Sequence, residues 1–270
     1  MTAMSTLSPR PAPAAPRALP APTGGGFPGA VRAEWTKLRS LRSPYICLSA
    51  GALLTVVFTF YYGSIARIND HPVQPLGNAA VASVVLVQFA VVVLAMVAVT
   101  SEYTTGSVRS SLLWVPVRRH VLLAKSLVAG VVGFGAGLLY AVLGMAVAWP
   151  SFDGHATFDA AEATAQALAV AAVLALTAVL SVGVSFALRN GAGALSALFG
   201  LLSALPALCV GLGGTFLLTV DSYLPQTAGG HFMLGDGGAP YPRWAGLLIV
   251  AAWAAVAQLA GRALLVRRDA

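Results

Sequence analysis

Charge is what this sequence has least of. Only 9% of its 270 residues are Asp, Glu, Lys or Arg, where a water-soluble chain carries about a quarter. A soluble globular domain is therefore excluded, because its surface could not be covered with polar groups. Lysine is scarcer still, with Lys37 and Lys125 alone against fourteen arginines. A phosphate-cradling loop needs Gly-Lys-Ser/Thr, but the two lysines follow Thr36 and Ala124. This chain has no such loop, so any ATPase it uses is a separate polypeptide. Cysteine is nearly absent too: Cys47 and Cys209 each sit in an apolar run and read as small apolar filler, not as a disulfide or a metal pair. The long apolar runs lack carboxylates and histidines, with Gln88 and Gln258 their most polar deep members. That argues against an ion-coupled secondary transporter, which places such groups at membrane depth.

What is present is apolar, at 58% of residues and a mean hydropathy of +0.81. Lipid must face most of the outside. The net charge of +7 does not point to nucleic acid, because the basic residues lie in short segments between apolar runs. There they set membrane topology.

Residues 1–30 hold seven of the sixteen prolines and read as a disordered tail without the apolar core of a signal peptide. Residues 31–43, VRAEWTKLRSLRS, place Val31, Trp35 and Leu38 at helical spacing among Arg32, Lys37, Arg39 and Arg42. That is a basic amphipathic helix suited to the headgroup layer, ended by Pro44.

Six stretches long enough to cross about 30 Å of hydrocarbon follow, near 45–63, 79–100, 124–148, 165–188, 192–212 and 244–264. They define a transmembrane domain over 44–266 and leave a short tail at 267–270. The fold class expected is an all-α polytopic membrane protein with six transmembrane helices. The Gly- and Pro-rich segment from Gly213 to Arg243 is apolar at Phe216–Val220 and reads as a re-entrant segment before the last span.

With both termini on one side, that side carries Arg10, Arg17, Arg32, Lys37, Arg39, Arg42, Arg109, Arg118, Arg119, Lys125, Arg189, Arg262, Arg267 and Arg268, against Arg67 and Arg243 on the other. Both termini are therefore expected in the cytoplasm.

The most informative segment is the loop 101–116, SEYTTGSVRSSLLWVP. Val108, Leu112 and Val115 recur at helical spacing beside Trp114, and Pro116 ends the run. A short amphipathic helix there lies either on the membrane surface or on a partner protein. Gly106 reads as a tight bend or a close approach.

SEYTTGSVRSSL followed by VPVRRHVLLAK resembles the first cytoplasmic loop of the ABC-2-type permeases, the type V class of ABC exporters. VRAEWTKLRSLRSPY resembles their amphipathic elbow helix, and Tyr223-Leu224-Pro225 with Ala228-Gly229 resembles the loop before their last span. The resemblance implies a permease subunit of a bacterial ATP-driven exporter in the cytoplasmic membrane. It implies a separate nucleotide-binding ATPase subunit that holds ATP and magnesium, and a second permease protomer, copy or homologue.

On the same footing, residues 101–116 are the coupling helix, with Glu102, Tyr103, Gly106, Arg109 and Leu112 as the coupling residues. The alternative for Glu102 is a surface charge paired with Arg109 or Arg118. Spans two and five line the path in that family, which points here to Gln88, Phe89, Met96, Leu198 and Pro206. The cargo is not specified beyond an amphipathic molecule.

Glycines 130, 133, 135 and 137 in span three, and Gly193, Ser196, Ala197 and Gly200 in span five, allow close helix contact. Such spacing is more often an intrachain contact than a dimer face. A membrane enzyme is the competing reading, on Asp153, His155, Asp159 and Glu162 with His231 and Asp236. No ligand pair such as HExxH supports it. A receptor or assembly protein would have the same topology.

Overall fold

The computed structural model describes residues 26–106, 118–235 and 238–267. Helix α1 spans Gly26–Ser40 and α2 Ser43–Ile68, with Pro44 in the first turn of α2. There the missing N–H costs nothing. Helix α3 spans Gly77–Thr105, α4 Arg118–Phe152 and α5 Ala160–Leu188. The next span is interrupted: α6 covers Gly191–Phe199, a π-helical turn Gly200–Ala204, and α7 Leu205–Leu212. Two short helices, α8 (Thr215–Ser222) and α9 (Pro225–Leu234), precede α10, Arg243–Arg267.

Six helical segments are long and apolar enough to cross a membrane: Ser43–Ile68, Gly77–Thr105, Arg119–Phe152, Ala160–Leu188, Gly191–Leu212 and Arg243–Leu265. The molecule is an all-α polytopic membrane protein. Its β structure among the described residues is a two-residue parallel bridge, β1 (Gln74–Pro75) to β2 (Ala156–Thr157).

The arrangement has a centre and a periphery. In α3 and α5, 67% of the most apolar window is buried, against 17% in the fifth and sixth spans. The exposed faces of α2, α6, α7 and α10 carry large apolar residues such as Leu53, Phe60, Phe199, Leu212 and Leu259, as lipid-facing surfaces must.

Glycine lets the central helices approach. A side chain at Gly137 would start 2.5 Å from the Ala171 backbone, and one at Gly133 2.9 Å from the Leu174 carbonyl oxygen. These two glycines of α4, one turn apart, thus form an intrachain contact with α5. Gly135 and Gly200 face open space. Buried hydroxyls close their bonds on their own helix, as in Thr55 to Gly51 O, Thr59 to Thr55 O and Ser181 to Thr177 O, leaving few polar groups for other helices to satisfy.

Several helix ends differ from the sequence reading. Helix α1 begins at Gly26, inside the stretch expected as a tail, and Phe27 packs edge-on against His120 of α4 at 5.9 Å. That contact gives the extra turn an apolar partner. Helix α3 runs to Thr105 and α4 begins at Arg118, well past the apolar runs that marked spans two and three. Of the expected coupling helix, 101–116, residues 101–105 belong to α3 and 107–116 lie outside the described residues. In the segment expected to be re-entrant, Phe216 to Val220 lie in α8, and Phe216 is among its exposed side chains.

Candidate functional site

The loops fall at two ends of the bundle. One end, called basal here, gathers α1, the end of α3, the start of α4 and the junction of α5 with α6. At its centre lie four charged side chains. Lys125 is 4% exposed, and Glu34 and Glu102 are 8% exposed. The Lys125 ammonium donates to Glu34 Oε2 at 2.6 Å, to Glu102 Oε1 at 2.8 Å and to the Ala98 carbonyl at 3.1 Å. Its three donors meet three acceptors, a tetrahedral arrangement that lysine can make and the planar arginine fork cannot.

Lys37, one turn after Glu34 on α1, donates to Glu34 Oε1 and to Glu102 Oε1, both at 2.9 Å. Partial burial works against its charge, but the two carboxylates outweigh it and hold its pKa above the ordinary lysine value. Glu102 Oε2 is buried without a hydrogen-bond partner among the described residues. Two carboxylates and two ammoniums thus balance one another and tie α1 to α3 and α4. Buried ions persist only when paired in this way.

Glu102 is therefore not the surface charge considered as its alternative role. Its partners among the described residues are Lys37 and Lys125. Sequence reasoning missed Glu34 altogether. The available signal was its spacing of three from Lys37, and the fact that it and Glu102 are acids on the strongly basic side.

Tyr103, the next coupling candidate, lies under the Arg189 guanidinium at 5.3 Å and edge-on to Phe186 at 6.3 Å. Arg189 is the C-cap of α5 in the left-handed conformation and donates to the Leu264 carbonyl at 3.2 Å. This joins α3, α5 and α10 at the base. Gly106 ends α3 with φ of 71°, and among the described residues nothing lies within 4 Å of where a Cβ would sit. Of its two expected roles the bend is the one present, since glycine adopts this conformation without steric cost. Arg109 and Leu112 lie outside the described residues.

The path candidates are on α3 and on the interrupted span. Gln88 is 1% exposed and donates to Val85 O at 3.2 Å. Phe89 and Leu198 share one apolar cluster, and the Phe89 ring meets Phe199 at 5.7 Å. Met96 is buried. Pro206 starts α7 just after the π turn, a geometry frequent at functional sites. The structure brings Phe89 and Leu198 together, while Gln88, Met96 and Pro206 are not in that cluster. On α10, Gln258 donates to Val179 O at 2.6 Å and accepts from Ser126 at 3.0 Å.

At the other end, the outer acidic residues have structural occupations. Asp159 caps α5, accepting from the Ala161 and Glu162 amides at 2.7 and 3.1 Å. His155 meets Asp70 at 3.0 Å, and Asp153 meets Arg67 at 4.0 Å. The Asp70 contact raises the His155 pKa above its ordinary value, helped by the Phe152 carbonyl. Among the described residues no three His, Cys, Asp or Glu are grouped to hold a metal. Asp236 lies outside them.

Six apolar spans with an amphipathic helix locked to their base define a multi-pass membrane protein, and the comparison with known families narrows its class to transport. A sequence model of the ABC-2 family transporter proteins matches residues 30–218, and the chain belongs to that family. No curated protein matches it individually. It is a permease subunit of an ABC transporter.

Proposed function

We propose that this chain is the transmembrane half of an ATP-driven exporter in the bacterial cytoplasmic membrane, with both termini in the cytoplasm. It moves an amphipathic substrate, and a separate ATPase subunit carrying ATP and magnesium supplies the energy. A second permease protomer, identical or homologous, completes the path, to which Gln88, Phe89, Met96, Leu198 and Pro206 contribute.

The observation that carries the coupling role is the clamp at the base. A permease can use closure of its ATPase only if a rigid element transmits the motion and biases one conformation. Glu102 and Tyr103 anchor the last turn of α3 to α1, α4 and α5, and Gly106 turns the chain immediately beyond. In this reading Arg109 and Leu112 touch the ATPase, while Glu102 and Tyr103 hold the base against which the contact pushes.

The test is co-purification of the ATPase and substrate-stimulated hydrolysis for Arg109→Glu and Leu112→Asp. Both variants should lose at least about tenfold in stimulation, as loss of a docking contact worth 1.4 kcal/mol or more would give. Their melting temperatures should match wild type. Normal binding and stimulation in both would show that this loop is not the coupling element.

A further inference from the structure

Against the charge cluster lies a cavity of about 370 Å³, within the size range of small-molecule sites. Leu38 of α1, Pro44 of α2, Leu94 of α3, Val128 of α4 and Val182 of α5 contribute to its apolar wall. Glu102 lines it from the polar side. That side chain is nine-tenths buried, and its Oε1 accepts from both lysines. Its Oε2 accepts from no donor among the described residues. A buried acceptor without a donor is rare and costly, and here it borders a space large enough to hold one.

The charge balance narrows the occupant. Glu34 and Glu102 are already matched by Lys37 and Lys125. A cationic head would add a charge with no counterpart, and an anionic head would face the free lone pairs of Oε2. A neutral donor does neither. We propose that this cavity binds a neutral amphiphile, its apolar body against the leucine and valine wall and a hydroxyl or amide N–H donating to Glu102 Oε2. The site borders the coupling segment through Ser101, Glu102 and Thr105 and includes none of the path residues. Its test reads ligand binding alone, so it can fail or succeed independently of the coupling and path assignments.

The test uses the full-length chain in phosphatidylcholine nanodiscs, whose lipid head carries no hydrogen-bond donor. The probe is decanol bearing a photoreactive diazirine in its tail, with labelled peptides identified by mass spectrometry. Labelling is expected on the peptides around Leu94 and Val128. Unlabelled decanol should displace the probe at concentrations at least about tenfold below those of decane, the difference one hydrogen bond to a charged group makes.

Dioctanoylglycerol serves as a second competitor. Displacement by it, by decanol or by both supports the site and tells a lipid source from a soluble one. Ala98→Phe adds bulk at the cavity wall while replacing none of the four charged side chains, and should abolish labelling. Glu102→Gln replaces the acceptor pair with a carboxamide and should narrow the gap between decanol and decane. Equal displacement by decane, labelling that avoids these peptides, or labelling that survives in folded Ala98→Phe protein overturns the proposal. The alcohol-to-alkane ratio in wild type decides alone, so a variant that fails to fold leaves the test intact.

Discussion

The basal end of the bundle and the opposite end both join helices through charged side chains, yet they do so on opposite physical terms. At the base, Lys125, Glu34 and Glu102 are withdrawn from solvent and each contact is 2.6 to 2.9 Å. At the other end, Arg67 and Asp153 stand 4.0 Å apart with side chains 48% and 73% exposed, and Asp70 of the His155 pair is almost fully solvated. Buried charges interact strongly but must be matched, whereas exposed pairs are screened and worth little singly. The base is thus built as an all-or-none joint. The far loops are held instead by a helix cap, a two-residue bridge and weak pairs, each of which can fail alone.

The largest expected effect follows from breaking the joint at its most buried member. Lys125→Met keeps the length and apolar stem of the side chain but leaves two buried carboxylates with Lys37 as their one remaining cation among the described residues. It should destabilise the protein by about 3–5 kcal/mol, the cost of an uncompensated buried charge. Thermal unfolding in mild detergent measures it. A loss below about 1 kcal/mol, the scale of an exposed pair, would show that the base is solvated like the far end.

A smaller effect is expected from Lys37→Met at the rim of the same cluster. Its side chain is 43% exposed, so solvent screens its pairs, and Lys125 still neutralises part of the acidic charge. The loss should be about 1 kcal/mol. The two lysines of this chain therefore sharpen the comparison within a single site. An equal loss from both substitutions would mean that burial does not set the strength of these contacts.

The two ends also differ in how far the sequence revealed them. The six spans were legible because lipid demands long apolar runs, and the interrupted backbone after Gly213 was legible from glycine and proline. The ends of α3 and α4 were not. Ser101 to Thr105 and Arg118 to Leu123 lie outside the apolar runs, yet they continue the helices, and Glu102 in the first of them pairs with Lys125 near the start of α4. Glu34 was invisible for the same reason. One partner, Lys37, follows it on the same helix, but the other, Lys125, lies 91 residues away on α4, and no local pattern encodes that second meeting. Glycine spacing announced close approach on α4. That Gly133 and Gly137 face α5, while Gly200 faces open space, is settled by tertiary packing alone.

The smallest effect is expected at the far end, and it depends on pH. His155 Nε2 lies 3.0 Å from Asp70 Oδ1, and Nδ1 lies 3.1 Å from the Phe152 carbonyl oxygen. Both neighbours are acceptors, so the doubly protonated ring satisfies both and the neutral ring only one. The folded pKa is accordingly raised above 6.5. A raised value means that the folded state holds its proton more tightly than the unfolded chain does. The contribution is therefore fully present below pH 6.5 and is lost as pH rises through the folded value. Histidine NMR should show a midpoint above 6.5 in wild type that falls back toward it in Asp70→Asn. Melting temperature should decline slightly from pH 6 to 8 in wild type and less in the variant, because the solvated pair contributes little. An unchanged midpoint in Asp70→Asn would separate this histidine from Asp70 and leave the bridge of Gln74 and Pro75 with Ala156 and Thr157 as what joins the two far loops.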